Sequence, residues 1–314
     1  MANEHDIIDR VRATIREGKT GISVVVPSYG EGRSIVPTLA SLHEGLALLG
    51  VPDAPVFLSD SSPDGATVEA AVEWAATVGC QLTVDHSDER RSVKQALNVA
   101  LAWCDTDIVV EANADVIVPP ASLAHLIAPI CVQQSADVAV GVAAPDVSVG
   151  RLRYRAGAFQ LRAVRRLVLE SGDTSLRAEG ALWAAHRRFY AWWRFPAGQG
   201  SVADDVELVR AVRARGFRGV TVPDATVLKI PPGTVRDFCL QTRRSYFAMA
   251  EGRRVVRSRS EWRAFAGEAM RDPAGALLYC LYRAAAAMTA RRWAPMAHTE
   301  TWEPSMSTKR GSPA

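Results

Sequence analysis

Short apolar runs alternate with longer segments whose apolar residues recur at helical spacing, and the alternation is regular from residue 21 to residue 142. The run Ile22-Ser23-Val24-Val25-Val26 is too short for a helix and rich in β-branched residues, so it predicts a buried strand ending at Pro27. A helix is expected after it, over 34–49. The pairing then repeats: strand 56–58 with helix 66–78, strand 81–84 with helix 92–103, strand 107–111 with helix 120–133, and finally strand 137–142. An amphipathic helix over 5–17 precedes this series, and a basic amphipathic helix over 151–170 follows it. Repeated β-α units predict an α/β fold with a mainly parallel central sheet, helices on both faces, and ligands at the carboxyl ends of the strands. The chain divides into an N-terminal helix (1–20), the main α/β domain (21–240), a basic helical C-terminal extension (241–295) and a tail (296–314) whose Ser, Thr, Pro and Met suggest disorder.

Composition narrows the partners. The 314 residues are 48% hydrophobic and 23% charged, as in an ordinary globular protein, and a net charge of +3 is too small to argue for nucleic acid. Arginines cluster from 243 to 292, among them Arg243, Arg244, Arg253, Arg254 and Arg257, against few acids. That excess suits a phosphate-bearing ligand, an anionic membrane surface or simply a solvated helical face. Five widely spaced cysteines without a C-x-x-C pair fit a reducing cytoplasm. The acidic N-terminus does not resemble a signal peptide, and segment 274–290, broken by Arg283, falls short of the roughly 18 apolar residues of a spanning helix. Its flanking arginines and aromatics suit either an interfacial helix lying on the inner face of a membrane or a helix packed on the main domain.

Two acidic segments carry the chemistry. Residues 111–115, Glu-Ala-Asn-Ala-Asp, close the strand Ile108-Val109-Val110, and Asp204-Asp205 opens an amphipathic helix much later. A strand-end Asp able to hold a divalent cation, together with a separate carboxylate able to take a proton, meets the needs of group transfer from a diphosphate. Asp204 followed by Glu207 is also a capping-box arrangement, so Asp204 can be read as an N-cap.

Several motifs in order resemble family 2 glycosyltransferases. They are Val24-Val25-Val26-Pro27-Ser28-Tyr29-Gly30-Glu31, Asp60-Ser61-Ser62-Pro63-Asp64-Gly65, Lys94-Gln95-Ala96-Leu97-Asn98 and Asn113-Ala114-Asp115. Further on come Gly180-Ala181-Leu182-Trp183, Asp204-Asp205 with Leu208, and Gln241-Thr242-Arg243-Arg244. The resemblance implies the GT-A type of α/β fold and an inverting transfer of one sugar from a nucleoside-diphosphate sugar. UDP is the first-expected nucleotide, and the acceptor would be a small molecule, a glycan or a lipid-linked hydroxyl. It implies Mg2+ or Mn2+ held by Asp115, and donor contacts from Pro27, Ser28, Tyr29, Glu31, Asp60, Lys94, Asn98, Asn113 and Ala114. It makes Asp205 the catalytic base, and it puts Trp183, Asp204, Lys229, Gln241, Arg243 and Arg244 on the acceptor or diphosphate side.

Plainer readings stand beside these: an Asx turn at Asp60, a surface Lys at 94, and an ordinary turn at Asn113-Ala114-Asp115. The chain also departs from the family pattern. Asn113 replaces the first Asp of Asp-x-Asp, Lys229 stands where His is frequent, and Ser245 replaces the Trp of Gln-x-x-Arg-Trp. The last change, with no spanning helix, points to single transfer over processive synthesis. A catalytically inactive sugar-nucleotide-binding protein is the alternative that Asn113 and Lys229 motivate. A nucleotidyltransferase would need a glycine-rich loop ending in Arg and Lys where 27–33 stands, and an NAD enzyme would need a third glycine after Gly30-Glu31-Gly32.

Overall fold

The computed structural model describes residues 4–18, 20–146, 152–171, 175–177, 181–196, 204–250 and 259–290, and for 171, 243–250, 259 and 289–290 the backbone alone. The expected disordered tail, 296–314, lies outside the described residues. In chain order the first half runs α1 (Glu4–Arg16), β1 (Ile22–Ser28), α2 (Ile35–Leu48), β2 (Val56–Asp60), α3 (Ala66–Val78) and β3 (Leu82–His86). It continues through α4 (Val93–Trp103), β4 (Ile108–Ala112), β5 (Val116–Ile117), α5 (Pro120–Cys131) and β6 (Val138–Pro145). The second half holds α6 (Arg155–Ser171), β7 (Leu182–His186), α7 (Arg187–Tyr190), α8 (Asp204–Ala214) and β8 (Gly219–Lys229). Three helices close it: α9 (Val235–Ala250), α10 (Arg259–Arg271) and α11 (Pro273–Ala290).

The strands form one sheet in the order β3-β2-β1-β4-β7-β6-β8-β5. Its β3-β2-β1-β4 half is parallel throughout, as the repeated β-α units predict. Beyond β4 the sheet is mixed. Strand β7 runs antiparallel to both β4 and β6, so β6 does not continue the parallel run beside β4. Strand β8 is parallel to β6 and antiparallel to the two-residue β5. Glycine is required inside β6, because a Cβ on Gly141 would meet the Ala225 carbonyl oxygen at 2.5 Å.

Alternate residues of a strand face opposite layers. On β1, Val24 and Val26 enter a core built with α1, α2, α3 and α5, whereas Val25 enters a second core with α4 and α8. On β4, Ile108 and Val110 join the first core, and Val109 joins the second. The expected N-terminal helix, α1, buries Ile8, Val11 and Ile15 in the first core. A third cluster, Phe159, Phe238 and Tyr279, joins α6 to α9 and α11. Arg162 ties α6 to α10 and the turn after it, at 2.5 Å from Glu268 and 2.6 Å from Asp272. No helix among the described residues is long and apolar enough to cross a membrane.

Candidate active site

The carboxyl ends of β1, β2 and β4 lie side by side, and the loops leaving them are tied together by short polar side chains. Asp60, fully buried at the end of β2, is the centre of these ties. One carboxylate oxygen accepts from the Ser28 hydroxyl at 2.7 Å and the Ser62 hydroxyl at 2.6 Å. The other accepts from the Ser62 N–H at 3.0 Å and faces His86 Nδ1 at 3.0 Å. Gly30 and Gly32, at φ +66° and +52°, take up the left-handed conformations of this loop. Their N–H groups donate to Ser62 and Thr67 hydroxyls at 2.7 and 2.9 Å.

Pro27 and Ser28 are buried, and Tyr29 and Glu31 are partly exposed. The Arg90 guanidinium stacks 4.3 Å from the Tyr29 ring centre, and Glu31 accepts from the Ser34 hydroxyl at 3.0 Å. The structure thus brings these residues to one rim with Asp60, which is buried and makes its four contacts inside the protein. It holds the loops in shape.

Helix α4 starts at a capping box. The Ser92 hydroxyl accepts from the Gln95 N–H at 3.3 Å, and the Gln95 side chain accepts from the Ser92 N–H at 2.8 Å. Lys94, the second residue of the helix, is only 4% exposed, unlike a surface lysine. Asn98, on the same face, is bonded to the backbone of Phe195. Its amide donates to the Phe195 carbonyl and accepts from the Phe195 N–H, both at 2.8 Å. The side chain clamps the segment before α8 to α4, a partner too distant in sequence for spacing to reveal.

After β4 the chain turns through Asn113, Ala114 and Asp115 into β5. The Asn113 N–H donates to Ala181 at 3.2 Å, and the Ala114 carbonyl accepts from the Thr38 hydroxyl at 2.8 Å. Asp115 is partly exposed, and its carboxylate meets no hydrogen-bond partner among the described residues. Pairing of Val116 with Lys229 brings the end of β8 alongside Asp115.

Helix α8 begins at Asp204 itself, one residue earlier than the N-cap reading of Asp204 requires, and Ala203 lies outside the described residues. Asp205 accepts from the Val206 N–H at 2.8 Å. Burial first, and then the charge of Asp205, push Asp204 up to about 7, against backbone N–H groups and Lys229. Burial also raises Asp205, against the Val206 N–H and Lys229. The helix N-terminus favours the ionised forms, and desolvation overcomes it. The pair is thereby suited to take a proton near neutral pH.

Glu111 belongs to this group, although as a strand-closing residue it drew no role from its sequence position. It is fully buried, and neither of its oxygens has a hydrogen-bond partner among the described residues. Burial and then Asp204 push it well above the usual carboxylate range, with Lys229 pulling back and Asp115 and Asp205 adding to the rise. The signal in the sequence was an acid inside an otherwise apolar strand.

Trp183 is placed differently from its expected acceptor side. Paired with Glu111 across β4–β7, it is 1% exposed in the second core, where strand alternation turns it inward. Gln241 is half-buried on α9. The side chains of Arg243 and Arg244 lie outside the described residues.

Among the described residues no three His, Cys, Asp or Glu side chains converge as a closed metal site. A Mg2+ or Mn2+ ion held by one carboxylate and completed by substrate phosphates and water needs no such cage. Asp115 could supply that carboxylate.

The sequence model described as glycosyl transferase family 2 matches residues 23–187. A search of curated proteins finds no match. Among solved structures, the chain resembles the mannosyltransferase PcManGT from Pyrobaculum calidifontis in complex with GDP-Man and Mn2+. The TM-score is 0.58 at 21% identity, over 92% of this chain and 86% of that one. It also resembles a structure described as a mycobacterial protein, with TM-score 0.50 at 19% identity over 78% of each chain.

Proposed function

The chain belongs to glycosyl transferase family 2, and on that premise we propose that it moves a single sugar from a nucleoside-diphosphate sugar to an acceptor hydroxyl with inversion at the anomeric carbon. The observation that carries this reading is the gathering of Asp115, Asp204, Asp205 and Lys229 at one end of the sheet, with Asp204 pushed up to about 7.

In this reading the rim formed by Pro27, Ser28, Tyr29 and Glu31 receives the nucleotide, and Asp60 keeps that rim in shape through Ser28, Ser62 and His86. Asp115 would hold Mg2+ or Mn2+, whose Lewis acidity stabilises the departing diphosphate. Lys229 places a positive charge beside the same phosphates, and Arg243 and Arg244 on α9 are proposed to add donors there. Asp205 takes the acceptor proton as the hydroxyl oxygen bonds to the anomeric carbon and the bond to the diphosphate breaks. No covalent enzyme intermediate is needed. The donor nucleotide proposed first is UDP; the Pyrobaculum relative, bound to GDP-Man, makes GDP the second to try. Leu277, Leu281 and Met288, exposed on α11, together with the arginines of the extension, support peripheral membrane contact and hence a lipid-linked acceptor as one class to assay.

A thermal-shift series with UDP, GDP and dTDP, each with and without Mn2+, tests the donor site, because a specific ligand stabilises by mass action. One nucleotide should raise the melting temperature in a Mn2+-dependent way, and Asp115→Ala should remove that dependence while melting like the parent. No response to any nucleotide, or an unchanged Mn2+ effect in Asp115→Ala, would sink the reading. Release of free sugar or a transfer product from the matching donor separates an enzyme from a protein that only binds.

A further inference from the structure

We propose that Glu111 is a positioning residue of this site, its carboxyl group donating a hydrogen bond to the Asp204–Asp205 pair as the acceptor is engaged. The inference deepens the base assignment above and rests on it. Register and alternation fix where Glu111 points. It lies two residues past Val109 on β4, opposite Val25 of β1 and Trp183 of β7. Val109, Val25 and Trp183 all belong to the core that also holds Leu208, Val209 and Val212 of α8. Glu111 therefore faces the layer that α8 covers, at the strand end nearest the site.

Its surroundings exclude the ordinary uses of a glutamate. It has no exposed surface for solvation, and neither oxygen finds a partner among the described residues. The groups whose charges reach it are Asp204, Lys229, Asp115 and Asp205, three anions against one cation. Like charges gathered in a desolvated place cannot all ionise, and the most buried member keeps its proton. A neutral carboxyl is an O–H donor, and Asp204 is the strongest charge acting on it. A donor aimed at an ionised carboxylate orients it and favours its charged form.

The test uses the full chain with Glu111→Met, which matches the length without a donor, and Glu111→Gln, which keeps one. Glu111→Met should melt at or above the parent temperature, because an orphaned polar group is gone. Its kcat should fall by about tenfold, with the acid limb of the pH–rate profile moved about one pH unit higher, as expected when one hydrogen bond to a charged group is lost. Glu111→Gln should recover most of the rate and return the limb toward its original position. The parent at neutral pH should show a stronger infrared carbonyl stretch of protonated carboxyl groups than Glu111→Gln, in which the part from Asp204 remains; this readout survives even if Glu111→Met does not fold. An unmoved acid limb and normal kcat in folded Glu111→Met overturn the inference, and so does an infrared band of equal strength in the parent and in Glu111→Gln. If Asp204→Asn and Asp205→Asn both keep full activity, the base reading has failed. If either kills transfer while Glu111→Met is silent, only the role of Glu111 falls.

Discussion

The acids at the start of α8 should make the protein more stable on mild acidification, the reverse of what salt-bridged carboxylates do. Asp204 is raised from its ordinary 3.8 to about 7 in the fold, whereas the unfolded chain titrates near 3.9. Between these values the folded state binds more protons, so the contribution is fully present below about pH 4 and is lost as pH rises through about 7. Each tenfold difference in proton affinity is worth about 1.4 kcal/mol, which puts the whole window near 4 kcal/mol. Between pH 8 and pH 6 the share of Asp204 is on the order of 1 kcal/mol, or a rise of about 2 °C in Tm for a chain of this size. Glu111 and Asp205 are raised as well and add in the same direction. Asp272 is lowered, chiefly by Arg155 acting against burial, and titrates below this range. Melting curves at pH 6, 7 and 8 in a chelator, for the parent and Asp204→Asn, read the effect of Asp204 together with the part of the Glu111 and Asp205 shifts that depends on its charge, because titrations elsewhere cancel in the difference. A parent whose Tm rises from pH 6 to pH 8, or a mutant with the same slope as the parent, would refute the reasoning.

Other outcomes follow from single contacts. Asp205→Asn should keep nucleotide affinity and fold but lower transfer by roughly 10²–10⁴, the usual worth of a positioned base; initial rates at saturating donor decide it. Asn98→Ala breaks both 2.8 Å bonds to Phe195 and should cost about 1–3 kcal/mol in urea unfolding, since the Phe195 backbone groups are left unpaired. A loss of nucleotide affinity with unchanged stability would return Asn98 to the donor site. Asn113→Asp should tighten Mn2+ binding, measured by the Mn2+ concentration that half-saturates the thermal shift.

The run from β1 to β4 was legible because β1, β2 and β4, parallel and buried on both faces, read as short apolar stretches, and the helices between them carry wider spacing. Helix 66–78 appears with the same bounds, and Ser92-x-x-Gln95 marks the start of α4 in the sequence as clearly as in the fold. Strand order beyond β4 was not legible. Nothing local in Leu-Trp-Ala-Ala-His says that β7 will enter antiparallel between β4 and β6, since that depends on where α6 delivers the chain. The same limit explains Trp183, Asn98 and Asp60. Each residue stands in a family-like motif, but its partner or facing layer is set by elements far away in sequence. Glu111 was visible only as an acid closing a strand, and its meaning required knowing which face α8 covers.

The irregular pairing of β6 with β8 has a consequence for how the chain tolerates changes in length. From Val140 to Val142 on β6, the partner strand advances from Thr221 to Thr226, so several residues of β8 bulge out of the ladder. Regular pairing then resumes and ends with Lys229 opposite Pro145. The bulge acts as slack, the place where an added or removed residue can be absorbed without disturbing the pairs beyond it. An insertion or deletion between 227 and 229 has no such refuge. It would turn Lys229 to the opposite face of the sheet, leaving the carboxylates without their cation while the rest of the sheet stayed paired.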